Sequence, residues 1–486
     1  MRPGLRNWLL ARRRPPAATE RGSAESVDAS PAVPRTVAVE REQSGSPDMP
    51  PFVHFAKMQD FYRFAFLPDG YPGRAGSDGS IFPHPIYGTY ALIDYLKQYA
   101  RDPRPELLQA ISRVAHAAIS RMTPFNDTLV FWYEANPSLG ARLYADHYSG
   151  LTQAYYAVQL ARAGTVLEDA SVRTAAESVF RSLLVPAEAG GVLHRTPAGP
   201  VIAEVPQTPN SWILNGWLSA LTSIQEFSDI TGLDEARDLI HDSTRTMARV
   251  LHLYDEPVKR TSRYGLTGFA YLRLRFEHLP QSLQDVTLHI PGEPDIVLPT
   301  GSGTRWQPYV FGPDMVRTTP KTTTVRINAV LSLASAPEPN RVGFTATTES
   351  PGTVTLEGML GAYEPTASSP VNAEWKEIAS TTIPSGTSSC MMDIPAFVVD
   401  STVYPTNFAK KIEGQNVNVY HSIHIQRLRQ LHGRTGVDEL LTWADKWHGY
   451  IADWATMPTY SGLAFRDPVS GKVRPVTDQP AAIEGS

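Results

Sequence analysis

The chain has 486 residues, 42% of them hydrophobic and 19% charged, with a formal net charge of −5 and one cysteine, Cys390. That length allows two or three domains and a large core. The acidic balance argues against a nucleic-acid-binding protein, whose footprint is basic, and one cysteine excludes an internal disulfide or a cysteine-rich zinc site.

Residues 1–48 are rich in Pro, Ala, Ser, Arg and Glu and poor in bulky apolar side chains. They read as a disordered tail. No sustained apolar run marks a signal peptide or a membrane span, so a cytoplasmic location is expected. Helical segments then come in pairs: 86–101 with 104–122, 146–164 with 167–185, 210–231 with 234–253, and 420–433 with 437–453. In 167–185, Val172, Ala175, Ala176, Val179, Phe180 and Leu183 form one apolar stripe, so that helix has one wet face. In "NSWILNGWLSALTSIQEF" apolar and small residues cover every face, as in a helix buried all round. Alternation of the two kinds predicts an inner and an outer ring: an incomplete α/α toroid of about four helical pairs over 49–282 and 399–460. Residues 283–398 interrupt it with Val- and Thr-rich alternating runs broken by Pro and Gly, a β-sandwich-like insert. The class is multidomain α+β, with 461–486 as a C-terminal tail.

Three junctions carry candidate chemistry. In "AEVPQTPNSWILNG", Glu204 precedes two prolines that stiffen the approach to an inner helix, with Asn210 or Ser211 available as its cap. A solvated loop carboxylate is the bland alternative. In "LYDEPVKRTSRYGL", Tyr264 sits beside Arg263, and a buried tyrosine with a satisfied hydroxyl is the alternative. In "NVNVYHSIHIQRLRQL", Tyr420 starts a helix and His421 and His424 share one of its faces. A two-histidine zinc site needs a further ligand and, in a metalloprotease, a Glu where Ser422 stands, so no metal is expected there. Tyr420 at a helix N-terminus would feel the positive end of the dipole, which favours an ionised oxygen.

Together these segments resemble the C-terminal domain of D-glucuronyl C5-epimerases, which convert glucuronate to iduronate in heparan-type chains. "EVPQTPNSWILNGWLSALTSIQEF" is similar to that family's segment through Glu204, Pro206, Pro209, Ser211, Leu214, Asn215 and Gly216. "LYDEPVKRTSRYGL" resembles the segment leading to a catalytic tyrosine, here Tyr264. "YHSIHIQRLRQL" resembles the Tyr-His-x-x-His-Ile segment. "HYSGLTQAYYAVQLARA" matches an inner helix through Ser149 and Gln153, and "FPHPIYGTYALIDY", containing Tyr87, resembles an aromatic segment lining the cleft. The sequence departs from the pattern at Val205, where the animal enzymes have tyrosine, and at Thr267, where an arginine is expected.

The resemblance implies an isomerase that inverts C5 of a uronate in an anionic polysaccharide. Such a reaction needs two acid–base groups flanking the ring and stabilisation of the developing enolate, and no cofactor. Glu204, Tyr264 and Tyr420 are the catalytic candidates. His421, His424, Arg263, Asn215, Gln153 and Tyr87 are the substrate-binding candidates, with His421, His424 and Arg263 supplying positive charge that lowers a tyrosine's pKa. Neither nucleic acid nor a membrane span is expected, and a homodimer is left open. A uronate lyase, which shares the first proton abstraction, and a non-catalytic polysaccharide binder are the alternatives.

Overall fold

Three helix pairs come first: α1 (Tyr87–Arg101) with α2 (Pro105–Arg121), α3 (Gly150–Val166) with α4 (Ala170–Arg181), and α5 (Leu214–Thr231) with α6 (Asp234–Val250). Each start and stop has a local cause. Pro105 occupies the first turn of α2, where a missing N–H costs nothing. The Ser149 hydroxyl accepts from Thr152 N to cap α3, and the Asp169 carboxylate accepts from Ser171 N (2.8 Å) to cap α4. Gly232, at φ +69°, ends α5 in the left-handed conformation that glycine adopts without strain. The computed structural model describes residues 48–55, 63–134, 146–299, 309–311, 322–335, 338–362, 364–366 and 371–480; the tail expected over 1–48 lies, up to residue 47, outside them. No helix among the described residues is long and apolar enough to cross a membrane.

Burial in the two helices the sequence contrasted is as expected. In α5, Trp217, Leu218, Leu221, Ile224 and Phe227 are buried, as are Ser219, Thr222 and Ser223 on its other sides. In α4 burial is confined to the stripe Val172, Ala175, Ala176, Val179 and Phe180. Each fully buried large apolar side chain of α5 contributes about 1.5–3 kcal/mol, and Leu221→Ala would cost about 2–5 kcal/mol. The buried helices touch in sequence: α3 packs on both α1 and α5.

One expected boundary shifts. Helix α5 starts at Leu214 rather than 210, and neither Asn210 nor Ser211 caps it. The Asn210 carbonyl oxygen Oδ1 accepts from Trp212 N (3.1 Å) instead. Residues 211–214 are hydrogen-bonded to 264–266, with Leu214 N donating to Tyr264 O (2.9 Å) and Leu266 N to Ser211 O (3.0 Å).

After several short strands and hairpins among the helices, the strands of the insert start at β1 (Thr267–Phe276), ahead of the expected 283. The reason is alternation inside "TGFAYLRLRF": Ala270, Leu272, Leu274 and Phe276 are buried, while the residues between them are not. After it come β2 (Ser282–His289), β3 (Ile296–Val297), β4 (Tyr309–Phe311), β5 (Thr324–Ser332), β6 (Asn340–Thr348), β7 (Gly352–Ala362), β8 (Val371–Ile383) and β9 (Gly386–Ile394). One antiparallel sheet has the order β4-β5-β1-β7-β8 and the other β3-β2-β6-β9. Leu272, Leu274, Val325 and Leu356 of the first sheet share one core with Leu283, Leu288, Val342 and Phe344 of the second. A short helix, α7 (Ala396–Thr402), adds Val398 and Val399 to that core.

The chain then returns through β10 (Lys410–Ile412) and β11 (Gln415–Asn418) to the fourth helix pair, α8 (Tyr420–Thr435) and α9 (Asp438–Trp454). Helix α8 packs on α5. The expected C-terminal tail is ordered as far as residue 480: β12 (Ala464–Arg466) pairs in parallel with β11, and β13 (Val473–Pro475) pairs with β12. The cause is a small apolar cluster of Val417, Val419 and Ala464, with Tyr420 packed against it. Behind it, the fully buried Asp467 accepts from Val469 N (3.0 Å) and Ser470 N (2.6 Å).

Candidate active site

Glu204 lies on the loop that enters α5, and its carboxyl rests on the first turn of that helix. A Cβ on Gly216 would stand 2.8 Å from both Cβ and Cδ of Glu204 and overlap Oε2. Only glycine permits that approach, which explains the Asn-Gly at the helix start. On the other side, a Cβ on Gly150 would stand 2.7 Å from Ile202 Cγ2. The starts of α3 and α5 thus pin the segment carrying Glu204. Its Oε2 is buried with no hydrogen-bond partner, as is Oδ1 of Asn215 beside Gly216. Burial lifts the Glu204 carboxyl to about 7, because the charged form loses its water.

Tyr264 is placed by its own backbone, whose carbonyl accepts from Leu214 N. Gly265 follows for a steric reason, since a Cβ there would stand 2.7 Å from Ser211 O. Tyr420 opens α8, where Asn418 Oδ1 accepts from His421 N (3.0 Å) and anchors the first turn. The two tyrosine rings meet edge to face, with centroids 4.8 Å apart and planes at 71°. The Tyr264 phenol is pushed well above its ordinary value, first by burial, then by the charges of Glu204 and Tyr420. It is a proton donor at neutral pH. The expectation that nearby cations lower this tyrosine's pKa is therefore wrong in sign.

Two groups join this set that the sequence did not single out. Tyr133 shares a hydrogen bond between its hydroxyl and that of Thr152 (2.7 Å). Its phenol is raised by burial and also by Glu204 and Tyr87. His84 stacks on Tyr87 (4.6 Å) and meets Tyr133 edge to face (5.7 Å). Burial takes His84 down to about 4, and its Nδ1 is buried without a partner. Tyr87 reaches the set through these contacts. His84 stood inside the quoted "FPHPIYGTYALIDY", and its flanking prolines were the available signal. Nothing in the local pattern of Tyr133 announced it.

Four expected substrate contacts are committed elsewhere. The Arg263 guanidinium is buried and turned to Glu256 Oε2 (2.5 Å) and to Asp400, because the hairpin ending at Ser262 points its side chain toward α7. Gln153 is fully buried, donating to Leu129 O (2.9 Å) and Ser182 Oγ (2.9 Å) and accepting from Phe131 N (3.1 Å). His421 and His424 are wholly buried as well. Burial lowers His421 to about 4 and His424 well below its usual value, so neither supplies positive charge near neutrality. Thr267 pairs with Ser332 as the first residue of β1.

The arrangement is a buried carboxyl of near-neutral pKa beside protonated phenols, with the Arg74 charge within electrostatic reach of His84. It can exchange protons with a weak carbon acid placed between the carboxyl and a phenol. Residues 128–276 match the family model described as D-glucuronyl C5-epimerase C-terminus. No curated protein matches the chain.

Proposed function

We propose, from the membership of residues 128–276 in the D-glucuronyl C5-epimerase C-terminal family, that this protein inverts C5 of D-glucuronate residues in an anionic polysaccharide, giving L-iduronate. The carrying observation is Glu204: a buried carboxyl at about 7 facing a phenol that stays protonated. Near pH 7 roughly half of Glu204 is ionised, which suits a general base. Its carboxylate takes the C5 proton, and the electron pair moves into the substrate carboxylate as an enolate. Tyr420 or Tyr264 returns a proton to the opposite face, leaving a phenolate that regains a proton as Glu204 loses its own. The positive N-terminal end of α5 supports the developing charge. We read the four helix pairs as an incomplete α/α toroid, with α1, α3, α5 and α8 walling the cleft.

Incubation with glucuronate polysaccharides in heavy water tests this reading. Deuterium at C5 without chain shortening is the expected result. Unsaturated chain ends would make it a lyase, and binding without exchange would make it a binder.

A further inference from the structure

Buried outside the proton-transfer groups is a polar cluster with no part in the chemistry so far. Ser262, His421 and His424 are each at most 1% exposed. Ser262 stands two residues before Tyr264, and His421 follows Tyr420. The Ser262 hydroxyl lies 2.9 Å from His421 Nδ1 and 2.7 Å from His424 Nδ1. Ser262 N also donates to His421 Nδ1 (3.1 Å). On its other edge, His421 Nε2 lies 2.9 Å from Trp447 O, which can only accept. His421 is therefore protonated on Nε2, and its Nδ1 is an acceptor.

That leaves one hydroxyl proton and two imidazoles. Were Oγ–H given to His424 Nδ1, the proton of His424 would sit on Nε2. That nitrogen is buried without a partner, and an orphaned buried N–H is rarer than an orphaned acceptor. The alternative satisfies every donor: His424 Nδ1–H donates to Ser262 Oγ, and Ser262 Oγ–H donates to His421 Nδ1. Burial lowers both imidazoles, consistent with two neutral rings. The loop is fixed from its other side, where Thr406 N donates to Ser262 O (2.8 Å).

The geometry points to Ser262 as a positioning residue that holds Tyr264 and Tyr420 in register through two neutral histidines, with His424 in the Nδ1–H tautomer. The consequence for catalysis rests on the proposed function; the tautomer does not. The tyrosines come from chain segments about 155 residues apart, and the serine–histidine chain ties those segments together beside the ring contact.

Long-range 15N–1H spectra of the histidine-labelled full chain at pH 7 test the first part. His421 protonated on Nε2 and His424 on Nδ1 is the expected pattern; Nε2–H on His424, or a charged ring at either position, overturns it. Ser262→Ala then tests the second part on a glucuronate polysaccharide. kcat should fall about 10²-fold, the cost of a misplacement near 1 Å, with KM changed by less than about threefold. Ser262→Thr, which keeps the hydroxyl, should recover at least about tenfold of the loss. A folded Ser262→Ala with wild-type kcat overturns the positioning role, as does an equal loss in both variants. If Ser262→Ala does not fold, the wild-type spectrum still decides the clasp. A wild-type protein that epimerises no uronate polymer defeats the proposed function and leaves the tautomer result standing.

Discussion

Gly216→Ala separates the stability of this fold from its chemistry. An alanine Cβ would lie 2.8 Å from Glu204 Cδ, where ordinary contacts begin at 3.4 Å, and would overlap Oε2. The carboxyl end can swing away, but Glu204 Cβ, also 2.8 Å from the new methyl, moves only with its loop backbone. The carboxyl must shift by roughly 1 Å or more at the oxygen, and a displacement of that size costs about 10²-fold in rate. The helix itself should gain, because alanine exceeds glycine by up to about 1 kcal/mol in a helix. Turning Glu204 toward water would also relieve its burial. The clash with Glu204 Cβ offsets that gain, so the melting temperature should change little while kcat falls about 10²-fold. The limb of the pH–rate profile set by Glu204 should move from about 7 toward the ordinary carboxyl range. The assay is C5 deuterium exchange against pH, with thermal melts alongside. A variant whose crystal structure shows the carboxyl displaced, yet whose kcat and pH profile match the wild type, would remove Glu204 as the base.

Tyr420→Phe keeps the ring that packs on Tyr264 and removes the hydroxyl; exchange should fall ~10²–10⁴-fold with little change in polysaccharide affinity. Phe465→Ala, at a fully buried position of β12, should destabilise by about 3–5 kcal/mol, measured by urea unfolding; a change within error would mean the segment beyond 460 is dispensable to the fold. Activity should survive exhaustive chelation, because both Nδ1 atoms of the histidine pair are held by Ser262. Loss restored by one divalent ion would contradict that.

The helices were legible because their signals are local. The stripe in 167–185, the all-round apolar run after Ile213, and Gly232 and Gly436 beyond two helix ends are patterns within one segment. The onset of strand at Thr267 was missed for the opposite reason. "GFAYLRLRF" alternates correctly, but its arginines and aromatics read equally as a lead-in to a helix, and only pairing with β5 and β7 decides. The order of 464–475 depends on Val417 and Asn418, about fifty residues away. At the site, Glu204, Tyr264 and Tyr420 stood out through their junction positions and the family resemblance. The charge logic did not: a sequence lists Arg263, His421 and His424 as cations, whereas their partners and burial set their state. Arginine is spoken for by two carboxylates, and the histidines are structural.

Glu204 and His421 pull stability in opposite directions with pH, and the signs follow from linkage. Glu204 is raised in the folded state, to about 7 from 4.5. Its contribution is full below about 4.5 and is lost as pH rises through about 7. His421 is lowered, to about 4 from 6.5. The folded state excludes a proton the unfolded chain takes up, so stability is lost as pH falls from about 6.5 toward 4. Each shift spans about two and a half units, at most about 3.4 kcal/mol at 1.36 kcal/mol per unit. The slopes of these two groups therefore cancel between about pH 4.5 and 6.5, and the lowered His424 adds a further loss toward acid. Glu204→Gln keeps the shape and removes the charge, so it should leave only the histidine slope: a variant more stable than wild type above pH 7, with the advantage fading as pH falls from about 7 and gone below about 4.5. Urea unfolding at pH 5 and pH 8 measures both. An advantage that does not grow with pH would mean that Glu204 is hydrated in the folded state and holds no near-neutral proton for the exchange at C5.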